Sequence, residues 1–148
     1  MISVLQRVKS ASVFIDKQMI SSIDSGYMIL LGVANNDTDA DAKFLADKIA
    51  GFRIFPEGDK NMNRSITDVD GMVLVVSQFT LCADLRRGRR PGFTTSAPPE
   101  IAEPLYLKFC DLLSEQEITV KKGRFGAMMD VSLINDGPVT FVLNSREK

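Results

Sequence analysis

Histidine is absent from this chain of 148 residues. The commonest general base near neutral pH is therefore missing, and Ser-His-Asp and Cys-His arrangements are excluded. Any catalysis must rest on main-chain donors, carboxylates, a perturbed lysine or a group brought by the substrate. Cysteine is scarce too: Cys82 and Cys110, with no histidine beside them, make a poor zinc set and read as buried thiols in a reducing compartment. Neither a metal nor another cofactor is called for. The longest apolar run, residues 27–34, is far short of the roughly 18 residues of a membrane-spanning helix, and the opening has no basic-then-apolar secretory pattern. A soluble, cytoplasmic protein with no membrane partner is expected. The net charge of −1 excludes a broadly cationic nucleic-acid coat, yet four of the five residues 86–90 are arginine. Any polyanion must bind locally.

What is present suits one globular domain over residues 1–148, with 45% hydrophobic and 25% charged residues. Ile2, Val4 and Gln6 alternate with Ser3, Leu5 and Arg7, and residues 12–15 are again β-rich, which predicts an N-terminal hairpin. Asp16-Lys17 suggests a further turn, and residues 27–33 read as a buried strand. The period then changes. Thr38 with Asp41 resembles a cap, and Ala40, Phe44, Leu45 and Ile49 share a face before Gly51, predicting a helix over 39–50. Short and long strands are expected at 52–55 and 72–81, then a loop over 86–99 rich in Arg, Gly and Pro. Ile101, Ala102, Leu105, Tyr106, Phe109, Leu112 and Leu113 form one amphipathic stripe, the second principal helix. Strands at 118–121, 128–134 and 139–143 complete a single α+β domain with a mainly antiparallel, barrel-like sheet.

Three segments carry the candidate chemistry. Ser77, Gln78 and Thr80 interrupt an apolar strand; they are either a strand leaving the core or an end that offers N–H groups and hydroxyls to a pocket, as an oxyanion site requires. Gly123 and Gly126 flank Arg124-Phe125 as turn residues or as points of close ligand approach. Gly137-Pro138 is a tight turn whose peptide bond has an appreciable chance of being cis. Arg86, Arg87, Arg89 and Arg90 are either a solvated loop or phosphate contacts.

Residues 77–81 (SQFTL) and 135–140 (NDGPVT), with the opening strand carrying Arg7, the GRRP stretch before Phe93 and the GRFGA loop, resemble the D-aminoacyl-tRNA deacylase family along nearly the whole chain. Gly92 and Met128 depart from residues common in that family. The resemblance implies that family's fold, and a homodimer with active sites at the subunit interface. It implies hydrolysis of the ester of tRNA carrying a D-amino acid or glycine. Ser77, Gln78, Phe79 and Thr80 would form the catalytic segment, the Phe79 N–H stabilising the oxyanion and the terminal ribose hydroxyl assisting water. Gly137 and Pro138 would enter the partner's pocket and exclude L side chains, oriented by Arg7, with Phe125 and Met129 shaping selectivity. Two other readings remain: a non-catalytic RNA-binding module, and a general esterase using Thr80 with Asp130.

Overall fold

The computed structural model describes residues 1–86 and 88–147. Among these, β1 (Ile2–Ile15) is one continuous strand, with Leu5, Val8, Ala11 and Val13 buried along it. The hairpin is therefore formed later than the alternation suggests. Asp16 and Lys17, at φ of 48° and 66°, turn the chain into β2 (Gln18–Ile23), a two-residue connection whose twist matches the strands. The apparent break between residues 7 and 12 is a bend in β1, where its register with the last strand shifts between Gln6 and Ser10.

β3 (Gly26–Gly32) and α1 (Asp39–Ala50) follow as expected, the helix opened by a Thr38/Asp41 capping box. The strand expected over 52–55 starts only at its end: β4 (Phe55–Glu57) forms a small hairpin with β5 (Lys60–Arg64). That partner is polar and carries no alternating pattern, so the pairing was not visible in the sequence. β6 (Met72–Ser77) stops four residues early, and residues 79–82 form a 3-10 turn. Gly32 explains this. A Cβ there would stand 2.9 Å from the Gln78 carbonyl and 3.0 Å from the Leu81 side chain, so the chain folds back tightly over the end of β3.

α2 (Pro99–Ser114), β7 (Thr119–Lys122) and β8 (Asp130–Asn144) complete the domain. The main sheet runs β2-β1-β3-β6-β7, with β8 paired to β1 along nearly its whole length, from Ile2 to Phe14. β1 pairs antiparallel with β2, β3 and β8, while β3–β6 and β6–β7 are parallel, in a curled, barrel-like sheet. On one face, Leu5, Tyr27, Ile29, Leu31, Val73 and Val75 pack with the two helices. On the other, Val8, Val13, Met28, Leu74 and Val76 form a second core. β3 and β6 are thus covered on both faces, which accounts for their nearly unbroken apolar sequences. No helix among the described residues is long and apolar enough to cross a membrane.

Candidate active site

Where β6 ends, the Gln78 N–H still reaches the Leu31 carbonyl at 2.8 Å, and the backbone then turns. Ser96 Oγ donates to the Phe79 carbonyl at 3.1 Å and Thr95 Oγ1 to that of Cys82, so the turn is held from the segment entering α2. Its first residues are Phe79 and Thr80, whose N–H groups stand where such a turn supplies no acceptor of its own. Ser77, Gln78 and Phe79 line a cavity of about 570 Å³. Leu31, Val33, Ala97, Ala102 and Tyr106 form more of its wall, and Phe125 through Met129 with Val131 complete it. No carboxylate, amine, guanidinium or thiol lines it among the described residues.

The segment bearing Phe125 and Met129 is anchored at one atom. The Val75 carbonyl accepts from the Gly123 N–H at 2.9 Å and from the Tyr106 hydroxyl at 2.9 Å. Burial holds the Tyr106 phenol well above its ordinary pKa, so it remains a donor, and its ring lies 5.8 Å from that of Phe125. The Arg124 N–H points to Met129 Sδ at 3.4 Å. Gly123 permits this closeness, since a Cβ there would sit 2.8 Å from that sulfur.

Ser77, Gln78, Phe79, Phe125 and Met129 are thus brought together, with Phe79 and Thr80 on a 3-10 turn rather than the expected strand. Thr80 is not on the cavity wall; its Oγ1 accepts from Gln78 Nε2 at 2.6 Å. Arg7, Gly137 and Pro138 form a second group elsewhere. Arg7 Nε donates to the Asp136 carbonyl at 2.9 Å and lies 3.2 Å from its carboxylate, while Nη1 reaches the Ile54 carbonyl. Asn135 ties the same turn, Nδ2 donating at 3.0 Å to the carbonyls of Arg7 and Val139. The Gly137–Pro138 bond is cis. Ser77 stands level with Leu31 and Ser3, whereas Gly137 lies between the Asn135–Val8 and Thr140–Gln6 pairs, three strands away. At about 3.3 Å per residue and 4.8 Å per strand, the path between the two groups along the sheet is roughly 20 Å in one chain.

The arginine loop is closed by reciprocal main-chain bonds between Asp84 and Gly92, at 2.7 and 3.0 Å. Arg86 grips the Asp84 carboxylate with Nε and Nη2, both at 2.8 Å, and this holds that carboxyl far below its usual range. Arg89 and Arg90 are exposed, and Arg87 lies outside the described residues. Sequence reasoning missed the walls supplied by Leu31, Val33, Ala97 and Tyr106, because an apolar side chain facing a cavity has the same pattern as one facing a core.

The fold and this cavity define a small α+β scaffold whose pocket, among the described residues, is lined without a carboxylate, amine, guanidinium or thiol. Within that class, residues 4–144 match the family model described as D-Tyr-tRNA(Tyr) deacylase, and the chain belongs to this family. A Thermus aquaticus protein named D-aminoacyl-tRNA deacylase is 51% identical over 146 residues, covering 99% of this chain and 96% of its own. One of the same name from Roseiflexus castenholzii is 54% identical over 143 residues, covering 97% and 91%. The solved structure of a c-Myc DNA unwinding element binding protein superposes with a TM-score of 0.90 at 37% identity, covering 97% of this chain and 98% of that one.

Proposed function

We propose that this protein hydrolyses the ester joining a D-amino acid, or glycine, to the terminal ribose of tRNA, as a cytoplasmic homodimer. One observation carries the reading: Phe79, at the start of the 3-10 turn, lines the cavity, and among the described residues no carboxylate, amine or thiol does. Such a site suits a substrate that is already activated and brings its own proton acceptor. An aminoacyl ester is such a substrate, with the neighbouring ribose hydroxyl assisting the attacking water. The protein's part is positioning, together with stabilisation of the oxyanion by the Phe79 N–H, a kind of contact worth roughly 3 kcal/mol.

The choice of hand falls to Gly137 and Pro138, which approach the cavity of a second copy. Their separation from Ser77 within one chain favours this arrangement. So does β8, which has no strand beyond it among the described residues and carries exposed Ile134 (57%) and Val142 (72%), with Met128 (92%) just before it. Arg7 fixes the turn through Asp136. Against the esterase alternative, Thr80 Oγ1 is engaged by Gln78 Nε2 and has no hydrogen bond to a carboxylate among the described residues.

Matched D-, L- and glycyl-tRNA test this. Ester release should be rapid for the D and glycyl forms and negligible for the L form, and a D-aminoacyl-tRNA lacking the terminal 2′-hydroxyl should survive. Equal hydrolysis of D and L forms would refute the selectivity, and a solution monomer with full activity would refute the shared site.

A further inference from the structure

Phe79 belongs to two surfaces at once. It lines the cavity and yet is 56% exposed, so the residue that opens the 3-10 turn also forms part of the cavity rim. Its ring stands 4.9 Å from that of Phe93, tilted by 56°, and Phe93 is itself 39% exposed and is not on the cavity wall. The aromatic pair therefore runs outward from the cavity. One residue holds both members: the Ser96 N–H donates to the Phe93 carbonyl at 3.1 Å, and Ser96 Oγ donates to the Phe79 carbonyl at 3.1 Å. Ser96 is bridged in turn to Ala34, just past the end of β3. The segment after the arginine loop is thus already tied to the turn through Thr95 and Ser96, and the loop is closed by the main-chain bonds of Asp84 and Gly92, so neither needs two solvent-facing rings.

We infer that Phe79 and Phe93 form a stacking platform for the base of the nucleotide that precedes the terminal adenosine. The inference rests on the deacylase reading for the identity of the RNA. In that reading the ester carbonyl sits at the Phe79 N–H, so the ribose that bears it lies beside this residue, and the preceding nucleotide is joined to that same ribose. Its base is the first one outside the cavity. An aromatic pair whose main chain is already fixed offers that base a π surface at little cost in ordering, and the contact tolerates any base because every base has a π face. Arg89 and Arg90, both exposed, precede Phe93 in the closed loop, so cations suited to phosphates and rings suited to bases follow one another in the chain.

The test compares three D-aminoacyl esters: of adenosine, of a dinucleotide in which cytidine precedes the adenosine, and of the same dinucleotide with an abasic first residue, which keeps the phosphate. In the wild type, KM should be about tenfold lower for the cytidine form than for the abasic form, as one base stacked on an aromatic ring contributes. Phe93→Leu, which keeps apolar bulk against Phe79, should remove most of that difference, with kcat within about twofold and the adenosine ester unaffected. Phe93→Tyr should restore it. Equal KM for the cytidine and abasic forms in the wild type would overturn the platform without recourse to any variant. An equal loss on the adenosine ester in Phe93→Leu would overturn it too, making the ring a support of the turn, and so would a shift of that variant to a smaller species in sedimentation, making the ring a subunit contact. Calorimetric binding of the two dinucleotides without an amino acid is read without hydrolysis. If the wild type cleaves none of the three esters, the deacylase reading fails, while a preference for the cytidine form over the abasic form, or its absence, still decides for or against the platform.

Discussion

The hydroxyl of Tyr106 donates to the main-chain carbonyl of Val75 at 2.9 Å, on the same oxygen that accepts from Gly123. Helix α2, the end of β6 and the start of the Phe125 segment therefore meet at one atom, two residues before Ser77. In Tyr106→Phe the carbonyl keeps its Gly123 donor, so stability should fall by only about 0.5–1.5 kcal/mol. The loss should appear in turnover, because Phe125 and the Phe79 turn are both positioned from this point. A roughly tenfold lower kcat with KM little changed is expected, measured by steady-state deacylation of D-aminoacyl-tRNA.

Gly137 has no room for a side chain. A Cβ would lie 2.0 Å from the Val139 nitrogen and 2.6 Å from Asn135 Oδ1, the first of which is backbone and cannot swing aside. Gly137→Ala should therefore displace the turn that Arg7 and Asn135 hold, at a cost of about 1–3 kcal/mol, with a fall in activity of about a hundredfold or more. Urea unfolding and ester release measure the two effects separately. Wild-type turnover in a folded Gly137→Ala protein would exclude this turn from the site.

The arginine loop should not respond uniformly to charge removal. Arg86 is already neutralised by two bonds to Asp84, whereas Arg89 and Arg90 have no ion pair among the described residues. Arg89→Gln with Arg90→Gln should weaken tRNA binding and flatten its salt slope by about 1.4, at about 0.7 per phosphate. Arg86→Gln should do less and should also loosen the loop. A binding titration at several salt concentrations that ranks Arg86 first would reverse this assignment.

The elements legible in the sequence were those whose signal is local. The α1 cap, the α2 stripe and the doubly buried β3 each follow from residues close in the chain. What escaped depended on distant partners: β6 ends early because Gly32 of β3 lets Gln78 and Leu81 fold over it, and Phe55 becomes a strand because of polar residues 60–64. The candidate site divides in the same way. Ser77, Gln78 and Thr80 stood out as polar residues interrupting an apolar run and Phe79 entered through the family resemblance, whereas Tyr106 was hidden within a helix stripe that reads as core. Only the fold reveals that its hydroxyl is spent on a carbonyl of the site's own strand.

Thr80 offers a sharp division between covalent and non-covalent chemistry. Its Oγ1 accepts the Gln78 amide at 2.6 Å and is absent from the cavity wall, and Gln78 is exposed enough for water to replace the lost acceptor. Thr80→Ala should keep kcat/KM within about tenfold of wild type, since the N–H groups of the turn remain. Mass spectrometry of rapidly quenched wild-type enzyme should find no aminoacyl adduct. Such an adduct on Thr80 would make the hydroxyl the nucleophile.

Burial pushes the Cys110 thiol up to about 12 from an ordinary value of 9.0, and it raises the phenols of Tyr27 and Tyr106 as well. The sign follows from proton binding. Between pH 9 and 12 the unfolded chain has released the Cys110 proton and the folded chain has kept it, so the folded state binds more protons and stability falls as pH rises. One such group contributes up to about 1.4 kcal/mol per pH unit within that window and nothing below it. The urea midpoint should therefore decline from pH 9 to 11, and the decline should be shallower in Cys110→Ala, with Cys82, whose thiol burial also raises, and the two tyrosines contributing to what remains. Native protein should also resist iodoacetamide at pH 9, since the reactive thiolate is scarce and the thiol is buried. Rapid alkylation of Cys110 there, or identical pH slopes for the two proteins, would mean that this thiol is open to water.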